Sequence, residues 1–263
     1  MYSYDVNSEQ AEALDIDKNI ALKAGAGSGK TRVLSKRFFK LLKEVPSVKL
    51  DSIVAITFTR KASIEMKERI RKEIHKEIER EHERQERERW KKLRDLITTA
   101  NIDTIHGFCS SIIKDNFASE GIDPSFTVME GMDADVNLYK FAEEAILEYV
   151  KNDKNDPVLK DIYDNYGIKT IMPEDFRKEI VQIYLSLRGK VDSPKRSEVI
   201  INTPQGSLTS MAEDILISLH NKYEEFKKKK NLLDFNDLEI CAERILQKPE
   251  IKKKYFDRSE ERR

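Results

Sequence analysis

The 263-residue chain is predicted to be an α/β protein that opens on a parallel sheet and continues into a mainly helical region. Three observations predict this. A glycine-rich turn at residues 24–29 stands between a short apolar run and a helical pattern. The β-branched run Ser52–Phe58 (SIVAITF) reads as a buried strand and leads into a second helical pattern. A further strand-like run, Ile102-Asp103-Thr104-Ile105, is again followed by a turn and a helix. Strand, loop, helix, strand and helix is the order of a doubly wound fold.

The first segment is Asn19 to Thr31, NIALKAGAGSGKT. Ile20, Ala21 and Leu22 read as a short buried parallel strand. Ala24, Gly25, Ala26, Gly27, Ser28 and Gly29 leave the turn almost without side chains, so its backbone can curl and point successive N–H groups inward. Lys30, Thr31 and the apolar spacing of Val33, Leu34 and Phe38 then open a helix. Its N-terminus adds partial positive charge and Lys30 a full one, which suits a nucleoside triphosphate, with Thr31 placed to hold Mg²⁺. The strict pattern has Gly where Ala24 stands, and Ala fits there unless φ must be positive. A turn that merely caps a helix does not explain strand, loop, Lys-Thr and helix arriving in that order.

Composition narrows the class. Lys and Arg number 48, as do Asp and Glu, so the formal net charge is zero, which argues against a histone-like tail but does not exclude a local basic surface for nucleic acid. Two cysteines, Cys109 and Cys241, indicate neither a disulfide framework nor a thiolate metal cluster. The start has no basic then apolar leader, and no 18-residue apolar run occurs, so a soluble, reducing compartment such as the cytoplasm is expected, with no membrane partner.

Asn7 and Gln10 can form a capping box at the first helix. A second reading of Gln10 is open, in which its amide presents one donor and one acceptor to an adenine edge. Thr59 can cap the helix that follows Phe58. Thr57, Phe58, Thr59 and Arg60 lie at the carboxyl end of a strand, where open sheets bind ligands. An aromatic ring, hydroxyls and a cation there suit single-stranded nucleic acid, while Phe58 reads equally as core. Met66, Ile70, Ile74 and Ile78 form a narrow apolar stripe, and Glu65–Arg69 and Glu68–Lys72 are i,i+4 charge pairs. Residues 79–89 lose all apolar character and read as a solvated helix or a disordered stretch, before Trp90, Leu93, Leu96 and Ile97 return to the core. Cys109 sits in an apolar run with Phe108, Ile112 and Ile113 and reads as buried. Beyond Gly121 and Gly131 come helical patterns at 138–150, 157–166, 173–187 and 208–230, a loop at 193–204, and a last helix from Leu232.

Taken together, these stretches resemble the N-terminal part of a UvrD/Rep-type superfamily 1 DNA helicase, and within that group the helicase–nuclease subunit of the AddA or RecB kind. Asn7–Gln10 is similar to the family's adenine-reading Q motif, and Ala24–Thr31 to motif I, where Ala is common at the first place. Arg32 is similar to an arginine beside the nucleotide. Ile56–Ala62 with Glu65 and Met66 resembles a single-strand contact, and Thr104–Cys109, including His106 and Phe108, the next one. Gly107 is often Ser in relatives. Leu233–Leu238 (LDFNDL) resembles the segment that re-enters the motor after its insertion.

The resemblance implies a P-loop NTPase (RecA-like) motor subdomain at 1–115 and 232–263, with a helical insertion subdomain at 116–231. It implies ATP and Mg²⁺ as cofactors, single- and double-stranded DNA as partners, and a possible helicase–nuclease partner subunit. Lys30 and Thr31 would act on the phosphates. In the family an Asp-Glu-x-Gln-Asp strand supplies the acidic groups. Asp257 is not followed by Glu, so the motor is expected to be incomplete here and turnover very slow. A non-motor DNA- or partner-binding remnant is the alternative. A small-molecule kinase is disfavoured by the two DNA-type motifs.

Overall fold

The computed structural model describes residues 7–23, 25, 27–152, 174–188 and 206–253. Two compact units divide the chain: Met1–Asp115 with Arg244–Arg263, and Asn116–Glu243. The helix expected at 157–166, the loop at 193–204, and Ala24 and Ala26 lie outside the described residues.

The first unit begins with the five-residue helix α1, Ser8–Glu12, closed by a capping box in which Asn7 Oδ1 accepts from Gln10 N at 2.8 Å. Ala13 and Leu14 beyond it pack on Val33. Helix α2 spans Lys30–Glu44 and buries Val33, Phe38, Phe39 and Leu42. Strand β1 (Val54–Thr57) and strand β2 (Asn101–Thr104) pair in parallel, Val54 opposite Asn101 and Thr57 opposite Thr104. Parallel neighbours need a crossover, here α3 (Arg60–Arg80) and α4 (Arg84–Leu96). The four-residue stripe Met66, Ile70, Ile74, Ile78 faces Phe39, Leu42, Ile53, Ala55 and Ile102 in one core, which Trp90 of α4 closes by stacking on Phe39 at 5.7 Å. Helix α5, Ile105–Asp115, follows β2 directly and buries Cys109, Ile112 and Ile113.

Several expectations need correction. Residues 20–23 form no strand, and Leu22 is 58% exposed. Three apolar residues with no neighbouring strand among the described residues have nothing there to hold them extended. The run at 52–58 is a strand only over 54–57, and it is half-buried: Ile53 and Ala55 face the core while Val54 and Ile56 face out. Burial on both faces requires cover on both, and among the described residues the helices cover one. The charged stretch at 79–89 is neither one extended helix nor disordered; α3 ends at Arg80 and α4 starts at Arg84. Trp90 and Ile97 return to the core as expected, but Leu96 ends α4 exposed. Glu65–Arg69 pairs at 3.4 Å, whereas no Glu68–Lys72 pair forms.

The second unit packs helices α7 (Gly131–Asn152), α8 (Glu174–Arg188) and α9 (Gly206–Lys230) around Leu138, Phe141, Ile146, Ile180, Tyr184, Leu216, Leu219 and Tyr223. The short helix α6, Phe117–Glu120, precedes them. Asn231 ends α9 at φ 52°, a left-handed position that Asn tolerates. This turn lets β4 (Leu232–Leu233) pair in parallel with β3 (Thr127–Val128) before α10 (Phe235–Gln247) begins. Arg188 and Lys227 are almost wholly buried here, against Asp234 and Asp237. Arg188 Nη1 donates to Asp234 Oδ2 at 2.6 Å, and its Nη2 donates to Asp237. Lys227 Nζ donates to Asp237 Oδ2 at 2.7 Å, and Tyr223 Oη to Asp234 Oδ2 at 2.9 Å. Burial pushes the Asp234 carboxyl up, but the two cations reverse this and hold it at about 2.

Candidate nucleotide-binding site and strand-end surface

Residues 27–31 turn the chain into α2 through two left-handed glycines, Gly27 at φ 78° and Gly29 at φ 83°. Gly29 is the N-cap of α2 and brings no side-chain cap to the first turn. A helix start left open in this way presents amide dipoles to an anion. A Cβ placed at Gly25 or Gly27 would meet nothing within 4 Å, so the loop borders open space. Lys30 folds back over it, with Nζ donating to Gly25 O at 2.7 Å, and Ser28 Oγ donates to the same carbonyl at 2.9 Å. Thr31 is half-buried on the first turn, and Arg32 beside it is exposed. Gln10 reaches this loop from α1, Nε2 donating to Ser28 O at 3.3 Å.

The carboxyl ends of β1 and β2 form a second cluster in the same unit. Phe58 is 98% exposed, which removes the core reading of its ring. Thr59 caps α3, its Oγ1 accepting from Ala62 N at 3.1 Å, and Thr57 Oγ1 donates to Thr59 O at 3.1 Å. The two hydroxyls therefore hold the turn that carries Phe58 and the exposed Arg60. His106 and Phe108 are half-buried on the first turn of α5, immediately after β2. The parallel register places Thr57 opposite Thr104, so the two turns leave the sheet side by side.

A match to the UvrD/REP helicase N-terminal domain runs over residues 6–261. The chain belongs to that family. It is 27% identical over 245 residues to an ATP-dependent helicase/nuclease subunit of Clostridium novyi (strain NT), covering 89% of this chain and 18% of that protein. It is 31% identical over 245 residues to the protein of the same name from Lactobacillus gasseri, covering 92% of this chain and 19% of the relative. A third, from Desulfitobacterium hafniense, is 32% identical over 159 residues, covering 60% of this chain and 11% of its own length. The chain thus spans less than a fifth of the length of these curated relatives.

The UvrD/REP helicase N-terminal domain carries a P-loop NTPase fold, with which the parallel β1–β2 pair and the glycine-capped α2 agree. The residues present fit a triphosphate: an uncapped helix start, open space beside Gly25 and Gly27, and the Lys30 ammonium over the loop. Among the described residues no group of three or more His, Cys, Asp or Glu side chains could hold a metal ion by itself. No described helix is long and apolar enough to cross a membrane.

Two contributors have no signature in the sequence motifs. Arg37 of α2 donates to Ala13 O at 3.0 Å and Lys18 O at 2.9 Å, tying the segment after α1 to the helix that carries Lys30. Asp103 caps its own strand end, Oδ1 accepting from Thr104 N at 2.7 Å, and its carboxylate fills the space where a side chain at Gly107 would stand. The i,i+4 spacing of 103 and 107 was the available signal, although it crosses a strand–helix junction.

Proposed function

We propose that residues 1–263 form the ATP-binding N-terminal region of an ATP-dependent DNA helicase that serves DNA repair or recombination. Lys30 and the amides of Gly25, Gly27, Ser28 and Gly29 would hold the phosphates, with Ala24 and Ala26 completing the loop, Arg32 beside it and Thr31 ligating Mg²⁺. ATP with Mg²⁺ supplies the phosphoryl chemistry when bound. The chain's own residues position it: Lys30 neutralises phosphate charge, and the open first turn of α2 aims its dipole at it. In this reading 1–115 and 232–263 belong to the motor subdomain and 116–231 to a helical insertion. Phe58 would stack on a base of single-stranded DNA, with Thr57, Thr59, Arg60, His106 and Phe108 along the track. A partner protein of helicase–nuclease type fits the same picture.

The observation that carries the reading is Lys30 Nζ lying over a glycine-capped helix start beside open space. The sequence Asp-Glu does not occur in these residues, so we infer that the 263-residue chain by itself binds nucleotide weakly and hydrolyses it very slowly.

Equilibrium titration of the 263-residue chain with a fluorescent ATP analogue and Mg²⁺ tests it. Lys30→Ala should weaken binding roughly ten- to hundredfold, as loss of a charge-assisted bond does. Equal affinity in both proteins would refute the phosphate site. On labelled single-stranded DNA, Phe58→Ala should weaken binding about five- to hundredfold with no change in melting temperature, because its ring contributes nothing to the core.

A further inference from the structure

Helix α1 is five residues long and buries none of them. A helix this short does not hold itself, and the Asn7 cap closes it without fixing where it lies. Its place is set by the segment that follows it. Ala13 and Leu14 pack on Val33 of α2, and Arg37, one turn further along α2, bonds the same segment. Nη1 donates to Ala13 O at 3.0 Å and Nη2 to Lys18 O at 2.9 Å. One planar guanidinium thus fixes two carbonyls that stand five residues apart in the chain. Ala13 is the C-cap of α1, where carbonyls lack helical donors, and the last turn of α1 has no basic residue of its own. Arg37 supplies that cation from the neighbouring helix.

Register ties Arg37 to the phosphate site as well. It stands seven residues after Lys30 on α2, nearly two full turns, so the two lie along one face. The held segment is braced within itself: Asp15 Oδ2 pairs with Lys18 Nζ at 2.9 Å, and Asp15 Oδ1 accepts from Asp17 N at 3.0 Å. On α1, Gln10 uses one N–H on Ser28 O and one lone pair on Asn7 N. An amide side chain has a second N–H and further lone pairs, which suit an adenine edge.

We propose that Arg37 is a positioning residue for base recognition. Its guanidinium holds α1 against α2 and so keeps the Gln10 amide at a set distance from the loop that takes the phosphates. A ligand held at both ends needs that spacing kept to about half an ångström. The proposal rests on the nucleotide-site reading, with Gln10 as the adenine contact. Without Arg37 the base end loosens, while the phosphate end, built from Lys30 and the first turn of α2, stays.

The test separates the two ends of the ligand. The 263-residue chain is titrated with ATP and with inorganic tripolyphosphate, each with Mg²⁺, at about 0.15 M salt, where exposed charges more than about 8 Å apart are screened. The proteins are wild type, Gln10→Ala, Arg37→Ala, Arg37→Lys and the double variant Gln10→Ala/Arg37→Ala. Gln10→Ala should weaken ATP roughly three- to thirtyfold, as loss of one or two hydrogen bonds does. Arg37→Ala should weaken ATP by at least about threefold and by no more than Gln10→Ala does. In the double variant it should add less than about twofold, because it acts through that amide. Arg37→Lys keeps the cation without the planar fork, so it should fall between wild type and Arg37→Ala, and it preserves the comparison if Arg37→Ala does not fold. Tripolyphosphate affinity should stay within about twofold throughout. Equal losses of both ligands in the Arg37 variants would overturn the proposal in favour of a general prop for the loop. Losses that multiply in the double variant would overturn it by showing a route that bypasses Gln10. A Gln10→Ala chain that binds ATP as wild type does would refute the base contact, and a wild-type chain that binds neither ligand would refute the nucleotide site; the proposal falls with either.

Discussion

Gly107 owes its identity to one neighbour. A Cβ there would stand 2.3 Å from Asp103 Cγ, closer than any real contact, and its φ is not left-handed, so the constraint is steric rather than conformational. Gly107→Ala should destabilise the chain by roughly 1–3 kcal/mol through this overpacking. In an Asp103→Ala background the same change should be neutral or stabilising by about 0.5–1 kcal/mol, because Ala suits a helix better than Gly. Urea titrations followed by the fluorescence of Trp90, the chain's single tryptophan, would read the cycle. An identical cost in both backgrounds would exclude the clash as its cause. The motif around His106 was legible in the sequence, and so was the absence of a side chain at 107. The reason for that absence was not, since it depends on where a strand residue four positions earlier points.

Among the elements, those with a long amphipathic period were readable and the short apolar ones were not. The stripe on α3 recurs four times and buries in full. Ile20–Leu22 offered three apolar residues, and whether such a run becomes a strand depends on a partner ladder, not on its own composition. The LDFNDL stretch resembled a re-entry segment, but nothing in its pattern announced a charge cluster. Asp234 and Asp237 cap the start of α10 on each other's backbone N–H at 2.9 Å while facing Arg188 and Lys227, 46 and 10 residues away. Removing one member leaves a buried charge uncompensated, so Lys227→Met should cost about 3–5 kcal/mol. Arg69→Ala, which breaks an exposed pair on α3, should cost about 0.2–0.5 kcal/mol. Chemical denaturation followed by far-ultraviolet circular dichroism compares the two. A Lys227→Met cost as small as that of Arg69→Ala would mean that water already reaches the cluster.

At the scale of the whole molecule, the larger hydrophobic clusters of the two units differ in what titrates beside them. Trp90 lies in the first, and His220 lies beside the second, with its Nδ1 3.1 Å from Tyr184 Oη. Burial lowers the His220 pKa from 6.5; Glu224 opposes this, and Arg188 and Lys227 add to it. A lowered pKa means that the unfolded chain takes the proton first. The stability due to neutral His220 is therefore present above about pH 6.5 and is lost as pH falls from there through the folded-state value. The melting temperature followed by circular dichroism should fall as pH is lowered through about 6.5, and His220→Gln should flatten that fall. Trp90 fluorescence should respond less, because no part of this cluster belongs to its core. A fall in melting temperature equal in wild type and His220→Gln would assign the pH dependence elsewhere.

The sequence by itself determined the glycine turn before Lys30, the helices on either side of the 54–57 strand, the caps at Asn7 and Thr59, and the family resemblance. Each is written in residues close together along the chain, where local sterics and hydrogen bonding decide. The tertiary structure alone decided that Phe58 is exposed, that Gln10 rests on Ser28, that Arg37 ties α1 to α2, and that Arg188 meets Asp234. The last three join residues 18 to 46 apart in the chain, and the exposure of Phe58 depends on what packs around it; packing sets both and periodicity encodes neither.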